Sequence, residues 1–207
     1  MATTHTISTR THGRYIFEPG PEERLLVGFH GYGETAEHSI AELLKIPGIS
    51  GWSVVAIQAL NRFYLGRSGM IAASWMTSQD RELAMADNIE YIRNVLAELP
   101  APKTLVFLGF SQGAPMAYRA AAAHPHAAGV IALGGELPPE LTGPLPPVLI
   151  GRGTTEEWYT DEKLKNNVNF LANITKVETC IYEGGHEWTD SFREAAGKFL
   201  GDRAREC

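Results

Sequence analysis

Thr104-Leu105-Val106-Phe107-Leu108-Gly109-Phe110-Ser111-Gln112-Gly113 is the stretch on which the reading of this chain turns. Its first five residues carry no charge, and unbroken apolarity of that length suits a strand covered on both faces. From Gln112 to about His124 the sequence reads as a helix, so Ser111 falls on the turn between strand and helix. A serine on so tight a turn projects its hydroxyl above the sheet, and glycine two before and two after removes the β-carbons that would collide there. With 21 glycines in 207 residues, chance yields roughly 0.1 matches to Gly-x-Ser-x-Gly, so the pattern gains its weight from the strand before it and the helix after it. The plainer alternative is a serine that caps a helix after a glycine turn.

The same alternation extends in both directions. Short apolar runs at Leu25–Phe29, Trp52–Ile57, Gly129–Leu133, Pro147–Ile150 and Val177–Ile181 predict further buried strands. Between them, helices are predicted near Thr35–Leu44, Asp80–Leu99, Asp161–Asn173 and Thr189–Leu200, the clearest with Leu83, Ala86, Ile89, Ile92 and Leu96 on one stripe. At the N-terminus, alternation through Thr4–Arg10, then Gly13 and Tyr15-Ile16-Phe17, suggests an antiparallel edge hairpin. An edge hairpin followed by repeated strand–helix units implies an α/β fold, a mainly parallel sheet with helices on both faces, read as a single domain over residues 1–207. In such sheets ligands bind beyond the carboxyl ends of the strands, so chemistry is sought just after each apolar run.

Composition narrows the function. Hydrophobic residues make up 44% and charged residues 20%, which excludes disordered and fibrous classes. A net charge of −6 argues against a nucleic-acid or anionic-membrane partner. The two cysteines, Cys180 and Cys207, cannot build a disulfide framework and suit a reducing compartment. The first residues show no basic-then-apolar signal region, and no apolar run approaches the ~18 residues of a membrane span. A cytoplasmic protein without stable membrane anchoring is expected.

The residues after the strands carry a coherent chemistry. A serine hydroxyl needs a base. Of the seven histidines, His186 in Gly184-Gly185-His186-Glu187-Trp188 lies past a strand and C-terminal to the serine, as this order requires. The third member should be a carboxylate after Pro147–Ile150, where Glu156, Glu157 and Asp161 are available. Glu156 lies in the loop itself and is preferred, since a helix-start role suffices for Asp161. Acyl transfer also needs two donors at the developing oxyanion: the Gln112 amide at the helix start, and the Tyr32 amide in Phe29-His30-Gly31-Tyr32-Gly33. For His30 itself a loop-ordering hydrogen bond is expected. Phe63, Tyr64, Trp75, Met76, Leu137, Trp158 and Trp188 are apolar loop residues that could line the substrate groove, with core packing as the alternative. No metal-ligand spacing such as His-Glu-x-x-His occurs, and no metal or organic cofactor is expected.

With these elements placed, the chain resembles the phospholipase/carboxylesterase family of α/β-hydrolases, small esterases without a cap domain that include acyl-protein thioesterases. The resemblance runs from about Leu25 to Leu200 and rests on His30-Gly31-Tyr32-Gly33, Gly109-Phe110-Ser111-Gln112-Gly113 and Gly185-His186. Two positions depart from it. Where the family has His-Gly-x-x-Asp, this chain has Arg152-Gly153-Thr154-Thr155-Glu156, so alignment on Gly153 puts Glu156 at the acid position. Ser74-Trp75-Met76 stands where many members have Trp-Phe-Asp. The resemblance implies a serine esterase acting through an acyl-enzyme on a small acyl ester. Lysophospholipase or acyl-protein thioesterase activity is the near alternative, and a non-catalytic binding protein on the same fold the distant one. A homodimer stays open.

Overall fold

The computed structural model describes residues 1–21 and 23–206, so Cys207 and any role for it lie outside the described residues. Seven strands form one sheet: β1 (Arg14–Glu18), β2 (Arg24–Phe29), β3 (Ser53–Gln58), β6 (Thr104–Phe110), β7 (Ala127–Leu133), β8 (Val148–Gly153) and β9 (Val177–Tyr182), while β4 (Asn61–Tyr64) and β5 (Ile71–Ser74) make a separate antiparallel pair. The order across the sheet is β1-β3-β2-β6-β7-β8-β9, parallel throughout except for β1. The helices are α1 (Ala36–Leu43), α2 (Arg81–Ala97), α3 (Gly113–Ala122), α4 (Asp161–Leu171) and α5 (Asp190–Arg205).

Strand periodicity explains the layers. Successive side chains leave a strand on opposite faces. Leu105 and Phe107 of β6 therefore join the core under α2, α3 and α4, with Ile92, Met116, Ala117, Leu164 and Leu171. Val106, Leu108 and Phe110 join the other core under α1 and α5, with Leu43, Phe192 and Phe199. Each such side chain, fully withdrawn from water, contributes roughly 1.5–3 kcal/mol, which is why these strands read as unbroken apolar runs.

The order also fixes where the site lies. From β2 the chain steps outward to β3, then returns past β2 to β6 and continues the other way. The loops after β2 and β6 thus leave adjacent strands in opposite directions, opening a crevice at their carboxyl ends.

Two expectations need correction. The antiparallel edge strand is present as β1, but its partner is β3, in the register Arg14↔Gln58 to Glu18↔Val54, and Thr4–Arg10 forms no strand. That segment has little to bury: its one aliphatic side chain, Ile7, is exposed. α2 turns Asn88, Ile92 and Val95 inward and leaves Leu83 and Ala86 outside. Asn88 earns its inward place by donating to the carbonyls of Trp75 and Ala84, both at 2.7 Å. The β4–β5 hairpin was not foreseen. It is hydrogen-bonded to the loop after β2, with the Gly33 amide donating to the Ala73 carbonyl (2.9 Å) and the Ala73 amide to that of Glu34 (3.1 Å). Among the described residues, no helix is long and apolar enough to cross a membrane.

Candidate active site

Ser111 has φ 54°, a left-handed conformation rare outside glycine and costing roughly 1–2 kcal/mol. The surroundings impose it. Its amide donates to the Leu133 carbonyl on β7 (2.8 Å), and Gln112 immediately resumes right-handed geometry at the start of α3. The flanking glycines permit the approach: a β-carbon on Gly109 would lie 2.0 Å from the Gly113 carbonyl oxygen, and one on Gly113 would lie 2.1 Å from that of Phe29. The kink therefore wedges α3 directly against β2.

His186 comes to this turn from the loop after β9. Its Nε2 lies 2.7 Å from Ser111 Oγ, and its Nδ1 lies 2.6 Å from Glu156 Oε2. A carboxylate can only accept, so Nδ1 carries the proton and Nε2 is left to accept from the serine hydroxyl. The ring rests over Phe110, centroids 4.9 Å apart. Its loop is fastened from below, where the Thr155 amide (2.9 Å) and hydroxyl (2.8 Å) both donate to the Gly184 carbonyl, and the Tyr182 hydroxyl donates to that of Glu187 (2.8 Å). Burial pushes the Tyr182 phenol well above its ordinary pKa, so it remains a donor. A β-carbon on Gly153 would lie 2.3 Å from the Gly184 oxygen, which shows how closely β8 and the histidine loop are stacked.

Of the three carboxylates considered, the structure brings Glu156 to the histidine. Its side chain is fully buried, with Oε1 accepting from the amides of Trp158 (2.8 Å) and Tyr159 (3.3 Å) while Oε2 faces His186. Those bonds compensate the lost hydration that a buried carboxylate must otherwise do without. Asp161 instead pairs with Arg152 at 2.8 Å, and Glu157 is exposed.

The loop after β2 closes the other side. A β-carbon on Gly31 would stand 3.3 Å from that of Ser111, so the loop abuts the turn. Among the described residues, neither the Tyr32 nor the Gln112 amide is engaged by an acceptor, which leaves both as available donors. His30 is buried and structural: Ala59 donates its amide to Nε2 (3.0 Å), so Nδ1 carries the proton and donates to the Gly31 carbonyl (2.7 Å). Burial holds its pKa below the ordinary histidine value. The Gln112 side chain accepts from the Trp75 amide (2.9 Å) and donates to the Met76 carbonyl (2.9 Å), tying residues 74–76 to the start of α3.

That tie corrects two groove assignments. Trp75 is fully buried, edge-on to Phe29 and donating its indole N–H to the His30 carbonyl (2.9 Å), and Met76 is buried beside it. They underpin the loop after β2 and cannot form a groove wall. Phe63 is half-buried and packs at a tilt against the exposed Tyr32, centroids 5.6 Å apart, Trp188 packs between Phe110 and Phe192, Leu137 leans on the core, and Tyr64 and Trp158 are exposed.

Sequence reasoning passed over Gly134 and Gly135. Gly134 has φ +60°, and a β-carbon there would stand 3.1 Å from the His186 ring and 3.3 Å from Glu156 Oε2. A glycine doublet directly after β7, at the carboxyl edge of the sheet, was the available signal. Among the described residues, no group of three or more His, Cys, Asp or Glu is placed to hold a metal ion.

A family model described as Phospholipase/Carboxylesterase matches residues 14–201. Among solved structures, the chain is similar to the esterase PE8, at 20% identity and TM-score 0.75, covering 93% of this chain and 99% of that one. It is also similar to the Bacillus cereus carboxylesterase (18%, TM-score 0.72, 92% and 94% covered) and to Zea mays acyl-protein thioesterase 2 (18%, TM-score 0.73, 93% and 99% covered). Comparison with curated proteins gives no match.

Proposed function

The chain belongs to the phospholipase/carboxylesterase family, and from that premise we propose that it is a serine carboxylesterase that hydrolyses short- to medium-chain esters through an acyl-enzyme. The observation that carries this reading is the unbroken hydrogen-bond chain Ser111 Oγ–His186 Nε2 (2.7 Å) and His186 Nδ1–Glu156 Oε2 (2.6 Å).

The steps follow from those contacts. As Ser111 Oγ attacks the ester carbonyl, its proton passes to His186 Nε2, and the imidazolium formed is stabilised by Glu156. The carbonyl oxygen, now an anion, accepts from the Tyr32 and Gln112 amides, each worth about 3–4 kcal/mol in the transition state. Collapse of the tetrahedral species breaks the bond to the alkoxide, which takes the proton from Nε2 and leaves as the alcohol. Water then repeats the sequence on the acyl-serine and releases the acid. With Trp75 and Met76 buried, Tyr32 and Phe63 beside the loop after β2 offer apolar surface for the acyl group, which suits chains of modest length.

The test is hydrolysis of a p-nitrophenyl ester and thioester series, combined with fluorophosphonate labelling. Wild type should turn over the shorter esters and label at Ser111, while Ser111→Ala should do neither. A labelled residue other than Ser111, or a preference for chains beyond about twelve carbons, contradicts the proposal. Faster turnover of thioesters at equal chain length would move the substrate class to acyl thioesters while leaving the mechanism intact.

A further inference from the structure

Resting on the serine-hydrolase reading, we propose that Arg152 is a positioning residue for that reaction, its guanidinium setting the shape of the turn that presents Glu156 to His186. Arg152 lies on β8 and its side chain is 7% exposed. An arginine so withdrawn from water requires full pairing. All its bonds go to one turn: Nη2 donates to the Glu156 carbonyl (3.3 Å), Nε to the Tyr159 carbonyl (2.7 Å), and Nη1 pairs with the Asp161 carboxylate (2.8 Å). One rigid planar group thereby fastens the start, the middle and the end of residues 156–161, a fork that a lysine ammonium cannot reproduce.

The consequence appears at the carboxylate. With the turn closed, the amides of Trp158 and Tyr159 converge on Oε1, and Oε2 is left for His186. Among the described residues, Arg152 makes no ion pair with the Glu156 carboxylate itself. That matters, because a direct pair would spend the negative charge on the guanidinium instead of on the imidazolium. Asp161 supplies the counter-charge from the far side, with its own side chain 71% exposed. The arginine therefore organises the acid through backbone carbonyls and leaves its charge free.

The groups facing the imidazole are Ser111 across Nε2 and Glu156 across Nδ1, with Tyr182 and Glu187 holding its loop. The experiment measures kcat/KM against pH for wild type, Arg152→Lys and Asp161→Asn, each normalised to active sites counted with a fluorophosphonate. Arg152→Lys should lose roughly 10–100-fold per active site with KM little changed, as for other residues that orient a catalytic group. Its acidic limb should move to lower pH, because an imidazolium deprived of its carboxylate gives up its proton more readily. Asp161→Asn should shift the limb in the same direction with a smaller loss. A residue of merely structural importance would lower the number of active sites and leave the limb unmoved. That result, or activity within twofold of wild type in folded Arg152→Lys, overturns the proposal. Should Arg152→Lys fail to fold, Asp161→Asn decides alone, and an unshifted limb overturns it. Ser111→Ala separates the two readings: if it retains the wild-type rate, the serine-hydrolase reading falls, whatever Arg152 does.

Discussion

The two sides of the site lean on different means. On the proposed nucleophile side, geometry comes from missing side chains: Gly109 and Gly113 let backbone meet backbone at distances where a single β-carbon would collide, and Gly31 brings its loop up against the Phe110 and Ser111 side chains. On the proposed acid–base side a close glycine approach at Gly153 is joined by added side chains, with Arg152, Thr155 and Tyr182 reaching across to tie down loop carbonyls. The first kind of construction tolerates no growth. The second tolerates trimming, with losses graded by how many bonds are cut.

The sharpest challenge to that contrast is Gly113→Ala. In a helix, alanine is normally favoured over glycine by about 1 kcal/mol. Here the new carbon would sit 2.1 Å from the Phe29 carbonyl oxygen, which is backbone and cannot swing aside. The collision should win by about 3 kcal/mol or more, and thermal unfolding should show a midpoint lower by roughly 6–12 °C. An unchanged or raised midpoint would mean that α3 can slide and that the nucleophile side is no more rigid than its partner.

Next comes Glu156→Asp. Withdrawing the carboxylate by one methylene should break the 2.6 Å contact with His186 while leaving a charged acid in place. A loss of about 100-fold in kcat/KM is expected, short of the ~10⁴ seen when such an acid is made neutral in a comparable triad. An undiminished rate would show that the acid loop follows its carboxylate inward and is softer than its hydrogen bonds suggest.

These two sides were not equally legible in the sequence. The nucleophile side was readable because its devices are local: an apolar run buried on both faces, a serine, and glycines at fixed offsets. His186 was readable from chain order. Arg152 was visible only as a departure, since nothing in Arg152-Gly153 says that a buried cation will fasten carbonyls four and seven residues further on. The β4–β5 hairpin escaped because three of the four residues of Asn61-Arg62-Phe63-Tyr64 are exposed, so no apolar run marks it. Trp75 looked like a groove residue because an aromatic in a loop carries no mark of which way it faces; its burial follows from Gln112 and Asn88, each of which holds residues 74–76 from a distant element. Alternation through Thr4–Arg10 misled because a period of two signals a strand only where one face has something to bury.

A smaller effect sets His30, on the nucleophile side, against the exposed histidines elsewhere. Burial holds its neutral form in the fold, whereas the unfolded chain takes up a proton near pH 6.5. Because the folded pKa is the lower one, its stabilisation is complete above about pH 6.5 and fades as the pH falls towards the folded value. His124 acts in the same direction, through burial and then the nearby Arg93 and His126. Unfolding midpoints should therefore decline from pH 7 to pH 5, and His30→Gln should weaken that slope while lowering the midpoint at neutral pH. Equal slopes in the two proteins would place the acid sensitivity outside the oxyanion loop.

The smallest effect belongs to Tyr182→Phe, which removes one oxygen from the acid–base side. The lost bonds run to the carbonyls of Glu187 (2.8 Å) and Gly185 (3.3 Å), and both of those residues lie in a loop that water can reach. Water can therefore replace the phenol, and the net cost should be about 0.5–1.5 kcal/mol of stability with only a few-fold loss in kcat/KM. The ring stays, so its edge against Phe192 and the packing beneath the histidine loop stay too. The informative quantity is the ratio of this loss to that of Gly113→Ala. If deleting a hydroxyl from the acid–base side proves as damaging as adding a methyl to the nucleophile side, the histidine loop is held by a single bond rather than by several, and the contrast between the two sides disappears.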